Sequence, residues 1–336
     1  MSESAHDCWR PELFPWQKDT WKQLSKYVET GRVPQALLVS GTAGVGKKNL
    51  ASCFAANLLC TARGSSVISC GACAGCRLVR AGTHPDLIRI EAPETGKAIP
   101  VDTIRGLVAR LALTSQYRGF RIIILQPADR LNTAAANALL KTLEEPVKQT
   151  VFILLSSRPW DLPATISSRC QRLQAPVPSA REVADWLKSE KGVDEPELLY
   201  RLADGSPLKA ARMAHEGMLA QRQILYSFWR QVADGSADPV RVAAKLAELS
   251  LEDVIDWIGG WIVDMIRLRM VPTARILRNP DLRSSLQVEV ERLDLKQLFG
   301  FYDRLGQLSL ALNTTVNPTM LLENVLIDWG RLKRQC

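Results

Sequence analysis

The chain has 336 residues, 46% hydrophobic and 23% charged, with 43 Lys+Arg against 35 Asp+Glu and a formal net charge of +8 at pH 7. That length implies two or three domains, and the ordinary apolar content excludes a disordered or fibrous chain. The basic excess is spread along the sequence, so it permits contact with nucleic acid without demonstrating it.

The opening stretch, MSESAHDCWRPELFPWQKD, lacks a basic segment followed by an apolar one, which predicts a cytoplasmic chain without a secretory signal. Val254 to Met270 is the most apolar long stretch, but Asp256, Asp264, Arg267 and Arg269 interrupt it too often for a membrane span. Eight cysteines in such a chain are expected to be reduced, so a cluster of them points to metal.

The first strong pattern is Ala36 to Ser40, a short apolar run leading into Gly41-Thr42-Ala43-Gly44-Val45-Gly46-Lys47-Lys48 and then an Ala/Leu-rich segment. It reads as strand, glycine loop and helix, the arrangement that wraps phosphates. Gly41, Gly44 and Gly46 supply backbone N–H groups, and Lys47 supplies the cation for the outer phosphates. A hydroxyl is needed next to hold Mg²⁺, and Lys48 stands there instead.

Cys60, Cys70, Cys73 and Cys76 follow as C-x9-C-x2-C-x2-C, with Gly71 and Gly75 allowing tight turns. Four thiolates complete the shell of a tetrahedral zinc ion, so the expected metal is structural zinc. No redox motif accompanies the cluster to favour an iron–sulfur centre. Cys8, Cys53, Cys170 and Cys336 are expected to be free thiols.

Further apolar runs occur at Leu87 to Ile90, Ile122 to Leu125 and Val151 to Leu155, separated by the helical patterns Ile104, Leu107, Val108, Leu111 and Leu139, Leu140, Leu143. Strands alternating with helices predict an α/β domain with a parallel sheet covered on both faces. A working nucleoside triphosphatase should end the strand at Ile122 to Leu125 in Asp-Glu, whereas this chain has Gln126-Pro127. Lys48, Gln126 and Pro127 all bear on one chemical step, which predicts weak or absent ATP binding and no hydrolysis.

Arg172 to Ala175 is the last strand-like stretch, and Pro176 and Pro178 mark a boundary. Beyond it only helical periods appear: Ser206-Pro207 opens a helix, and Gly205 and Gly217 are stops. Longer stripes follow at Ile224, Leu225, Phe228, Trp229, Val232; at Val254, Ile255, Ile258, Trp261, Ile262, Met265; and at Leu295, Leu298, Phe299, Tyr302, Leu305, Leu308, Leu312. A last helix starts at Asn317-Pro318 and carries Leu321, Leu322, Val325, Leu326 and Trp329. These are read as helix-bundle core. The predicted division is an α/β domain at 1–175 with its zinc module, a small helical lid at 176–217 and a helical collar at 218–336.

Leu131-Asn132-Thr133 followed by AAANALLKTLEEP, then SSR, ISSRC and the final NPTMLLENVLIDW, together with His84-Pro85-Asp86-Leu87 and Val101-Asp102-x-Ile104-Arg105, resembles the bacterial DNA polymerase III clamp loader, an AAA+ family. The cysteine module and the altered phosphate loop resemble its delta-prime branch rather than the gamma/tau subunits that hydrolyse ATP. The resemblance implies an AAA+ fold, partnership with gamma/tau-type and delta-type subunits, loading of a sliding clamp on primer-template DNA, and no membrane. It further implies that Arg169 of Ser168-Arg169-Cys170 reaches a neighbouring subunit's ATP, where a guanidinium in trans stabilises phosphoryl transfer. An arginine that touches ATP in this family should stand three residues after Gly205, where this chain has Leu208; Lys209 is about 100° further round the helix. The competing readings are a self-sufficient AAA+ ATPase of replication or repair and a zinc-finger nucleic-acid reader. The second is disfavoured because Arg63 is the one basic residue between Cys60 and Cys76.

Overall fold

The computed structural model describes residues 13–62, 68–93, 97–111, 119–145, 147–291, 293–311 and 317–334. Cys8, Arg63, Leu312 and Cys336 lie outside the described residues. The chain packs as two units, Met1–Glu182 with Ser206–Leu208, and Val183–Gly205 with Lys209–Cys336.

In the first unit β1 (Ala36–Ser40), β2 (Leu87–Glu91), β3 (Arg121–Gln126), β4 (Thr150–Ser156) and β5 (Gln171–Gln174) form one sheet in the order β2-β3-β4-β1-β5. Every pairing is parallel. The chain returns between strands through α1 (Lys18–Glu29, ahead of β1), α2 (Lys47–Leu58), α3 (Ala74–Arg80), α4 (Val101–Leu111), α5 (Thr133–Glu144) and α6 (Ala164–Ser167). Side chains on a strand alternate between faces, so an apolar run such as Ile122 to Leu125 feeds two layers at once. Ile122 and Ile124 join Leu37, Val39, Val151 and Ile153 against Leu24, Leu50 and Phe54. Ile123 and Leu125 join Leu38, Phe152 and Leu154 against Ile104, Leu107, Leu139 and Leu143. This is the expected α/β architecture, a parallel sheet covered on both faces, with the glycine loop joining β1 to α2.

The second unit is helical, and among the described residues no strand follows Gln174. It contains α7 (Ala180–Lys191, which starts in the first unit), α8 (Pro196–Leu202), α9 (Pro207–His215, from Lys209 on), α10 (Met218–Ala233), α11 (Pro239–Lys245), α12 (Leu251–Met270), α13 (Arg283–Val290), α14 (Leu295–Ala311) and α15 (Pro318–Arg334). Gly205 and Gly217 end α8 and α9 in left-handed conformation, at φ +76° and +63°. Trp229 stacks on Trp329 with ring centres 4.1 Å apart, and Trp261 and Phe301 each lie 5.8 Å from Trp229. The predicted core stripes need one correction: α14 buries Leu298, Phe301 and Leu305, while Phe299 and Tyr302 are exposed, as is Ile224 on α10. Leu298, Phe301 and Leu305 share one face at spacings of three and four, which leaves position 299 about 100° or more away from it and position 302 at its margin.

A polar network is buried in this unit. The Asp264 carboxylate on α12 accepts from the backbone N–H of Arg278 (3.0 Å) and Asn279 (2.7 Å) and from Asn279 Nδ2 (2.8 Å). Asn279 Oδ1 accepts in turn from the buried Arg222 guanidinium (2.7 Å), which also donates to Asp281 (2.7 Å). Asp264 is thus the anchor of the segment leading to α13. Asp264→Ala leaves those donors buried without an acceptor and should cost about 3 kcal/mol or more. A urea titration followed by tryptophan fluorescence checks this, and an unshifted midpoint would refute the anchoring role.

Candidate functional site

The glycine loop holds its shape through close approaches and unusual backbone angles. Gly44 and Gly46 have φ of +74° and +91°. A Cβ at Gly46 would lie 2.7 Å from Gln17 Nε2 and from Phe14, and one at Gly41 would lie 2.6 Å from the Ala175 carbonyl. Donors from elsewhere in the chain cover the loop's carbonyls: Trp16 Nε1 donates to Val45 (2.9 Å), Gln17 Nε2 to Gly46 (2.8 Å) and the Leu208 backbone N–H to Gly44 (3.1 Å). Lys209, the next residue, turns to Asp256 of α12 at 2.8 Å.

Lys47 opens α2 with its ammonium folded back onto the loop. Nζ donates to the carbonyls of Gly41 (2.7 Å) and Thr42 (2.8 Å) and to Ser157 Oγ (2.9 Å). Burial pushes its pKa down to about 8, opposed in part by the Asp129 carboxylate. Asp129 Oδ1 accepts from Ser156 Oγ (2.6 Å) and from the Ser157 backbone N–H (3.1 Å). The loops after β1, β3 and β4 therefore meet at Lys47. Lys48 points to Glu91 at the end of β2, with which it pairs at 2.8 Å. Gln126 ends β3 beside Glu91 in register, and the carboxylate contributed by the segment after it is Asp129.

Asp129, Ser157, Trp16 and Gln17 were not singled out from sequence. Lys47 and Ser157 are 110 residues apart, and no local pattern links them. Asp129 alone had a signal, as the first acid after the missing Asp-Glu pair. Because folding lowers the Lys47 pKa, the unfolded chain binds the extra proton between about pH 8 and the ordinary lysine value, so this group's contribution to stability rises with pH in that window. The stability of the wild-type chain relative to Lys47→Met should therefore increase between about pH 8 and pH 10 in paired urea titrations. A constant difference would show that the ammonium is not buried.

The four cysteines come together where α2 ends and α3 begins. Their sulfurs all lie within 4.8 Å of one another, with Cys60 to Cys73 and Cys70 to Cys76 both at 3.9 Å. Four sulfurs about 2.3 Å from a tetrahedral zinc ion are about 3.8 Å from one another, so the set fits such an ion. Cys73 caps α3, its sulfur accepting from the Cys76 backbone N–H (3.4 Å), and Cys70 accepts likewise from Cys73 (3.4 Å). Burial opposes ionising Cys73, but hydrogen bonds from Thr61 and Cys76 outweigh it and hold the thiol down to about 5. Cys76 is pushed up to about 12, first by burial and then by its bond to Cys73. Gly71 turns the chain at φ +71°, whereas Gly75 serves close approach: a Cβ there would lie 2.4 Å from the Leu59 carbonyl. Cys53 and Cys170 are buried and lie outside any disulfide, and the Cys170 thiol donates to the Ile166 carbonyl (3.3 Å).

Arg169 follows α6 and is set apart from the loop. Nη1 donates to the Thr165 carbonyl (2.8 Å) and approaches Ser168 Oγ (3.5 Å), while Nη2 pairs with Glu144 of α5 (2.5 Å). Its side chain is 36% exposed. Ser167 and Ser168 hydroxyls donate to Ala164 and Thr165 carbonyls, both at 3.3 Å, and so shape this turn.

Among the described residues no helix is long and apolar enough to cross a membrane. Two family models match, "DNA polymerase III, delta subunit" over residues 16–178 and "DNA polymerase III, delta subunit, C terminal" over 216–331. The chain is 35% identical to DNA polymerase III subunit delta' of Pseudomonas aeruginosa over 96% of this chain and 98% of that one. It is 37% identical to subunit delta' of Escherichia coli over 58% of each chain. It is 29% identical to DNA polymerase III subunit tau of Escherichia coli over 76% of this chain and 39% of that protein. With matching models at both ends and near-complete coverage of a delta' relative, the chain belongs to the DNA polymerase III subunit delta' family.

Proposed function

We propose that this chain is a non-hydrolysing stator of a clamp loader: it joins gamma/tau-type and delta-type subunits and takes part, through the complex, in loading a sliding clamp on primer-template DNA in the cytoplasm. In this reading residues 1–175 are the AAA+ domain, 176–217 the lid and 218–336 the collar through which subunits join. The observation that carries it is how the phosphate loop spends its cations. Lys47 is bonded to Gly41, Thr42 and Ser157, and Lys48 is paired with Glu91. A second ammonium in the Mg²⁺-ligand position repels the ion that hydrolysis requires, and neither Gln126 nor Pro127 offers a carboxylate. Gly41, Gly44, Gly46 and Lys47 then brace the fold, with ATP bound weakly or not at all.

Asp129 is the observation that favours the rival, an ATPase complete in one chain, because its carboxylate is close enough to Lys47 to raise its pKa. Asp129 is, however, committed to Ser156 and Ser157 and lies 3.8 Å from Arg158. ATP turnover by the chain alone, abolished by Lys47→Ala, would establish the rival.

The chemistry assigned to this subunit is Arg169 acting on a neighbour's ATP. Arg169→Ala in this subunit only should leave assembly intact and slow hydrolysis at the adjoining site by about 10³-fold or more, with clamp loading falling alongside. Lys should substitute poorly, lacking the planar fork that bonds two phosphate oxygens. An unchanged DNA- and clamp-stimulated rate in the assembled complex would withdraw the role.

Zinc is the metal assigned to Cys60, Cys70, Cys73 and Cys76, with a structural part only, since four thiolates leave no open position. Metal analysis should find about one zinc per chain, lost in Cys73→Ser. Full zinc content in that variant would place the metal elsewhere.

A further inference from the structure

We propose that Glu144 is the positioning residue for Arg169, holding the guanidinium so that its remaining donors are set for a neighbour's phosphate; the inference rests on the reading of Arg169 given above. Glu144 is the last residue of α5 and Glu145 follows it. A helix ends in unsatisfied carbonyls that carry partial negative charge, so its last turn favours cations, and a carboxylate there is locally unfavourable. Residues that break such a local rule have their reason elsewhere in the fold. For Glu144 the reason is the guanidinium it meets at 2.5 Å, 25 residues along the chain.

The same guanidinium closes a second helix. Nη1 donates to the carbonyl of Thr165 in the last turn of α6 (2.8 Å) and lies 3.5 Å from Ser168 Oγ. Arg169 thus bridges the carbonyl ends of α5 and α6, and each end holds one nitrogen. A guanidinium has five N–H groups. Two directions are taken by Thr165 and Ser168 and one by Glu144, which leaves the Nε–H and one Nη2–H uncommitted among the described residues. Two donors on one rigid plane match two oxygens of a phosphate. The side chain is 36% exposed, so an incoming group can reach part of it. An arginine free to turn would have to be ordered when the phosphate arrives; one held at both nitrogens has been ordered by its own fold.

The test is a double-mutant cycle in the reconstituted complex with the gamma/tau-type and delta-type subunits, with ATP as substrate and substitutions in this subunit only. Glu144→Ala should lower kcat at the adjoining site about fivefold with little change in KM, the mark of an interaction realised in the transition state, and the loss is small because the pair is half exposed. In an Arg169→Ala background the same change should have no further effect, since Glu144 acts through Arg169. Glu144→Gln should restore most of the rate, because the amide oxygen still accepts the Nη2–H. An unchanged kcat for Glu144→Ala beside a slowed Arg169→Ala overturns the positioning role and leaves the trans role standing. A loss that persists in the Arg169→Ala background, or an assembly defect specific to Glu144→Ala, overturns it by making Glu144 act elsewhere. An unchanged rate for Arg169→Ala removes both readings at once.

Discussion

A parallel sheet with apolar side chains on both faces has to be covered twice, and that constraint organises the first unit. Covering both faces requires a helical return after each of β1 to β4, so each strand leaves at the same end and that end collects the loops. Ligand crevices of such sheets form at the carboxyl ends of their strands. Here the glycine loop after β1, Asp129 after β3, Ser157 after β4 and Ala175 after β5 all arrive there because no other route is open to the chain.

What assembles at that end is satisfied from within. The Lys47 ammonium has acceptors on its own loop and on Ser157, Asp129 has donors on both serines, and Trp16, Gln17 and Leu208 reach the carbonyls of Gly44, Val45 and Gly46. Each bond lowers the cost of burying a polar group without a ligand. The glycine loop thereby keeps its shape through contacts made within the chain.

The fold was largely legible because its signals are local. Ala36 to Ser40 and Ile122 to Leu125 are too short and too apolar for amphipathic helices, and the glycines and prolines between the runs mark the turns. The cysteine cluster was legible because three of its members lie within seven residues. Long-range partners were not: nothing near Lys47 names Ser157, and nothing near Arg169 names Glu144. Periodicity also overstated the core of the longer helices. Phe299 and Tyr302 are apolar enough to be counted with Leu298 and Leu305, but the angle between positions decides which face is buried, and Phe301 takes the place beside Trp329.

The order of the strands leaves β2 and β5 at the margins, where unpaired backbone groups could template pairing with another chain. Both strands are short. β2 carries Arg89 and Glu91, and β5 reads Gln-Arg-Leu-Gln with only Leu173 buried. Charged and amide side chains on brief margins blunt strand addition, which guards the folded chain against edge-to-edge aggregation. In the proposed assembly other chains are then recognised through side chains on helices and loops, whose identity can differ from one copy of the fold to the next. Selective pairing among copies of one fold, as that proposed assembly requires, needs this property, since a bare strand edge would accept any of them.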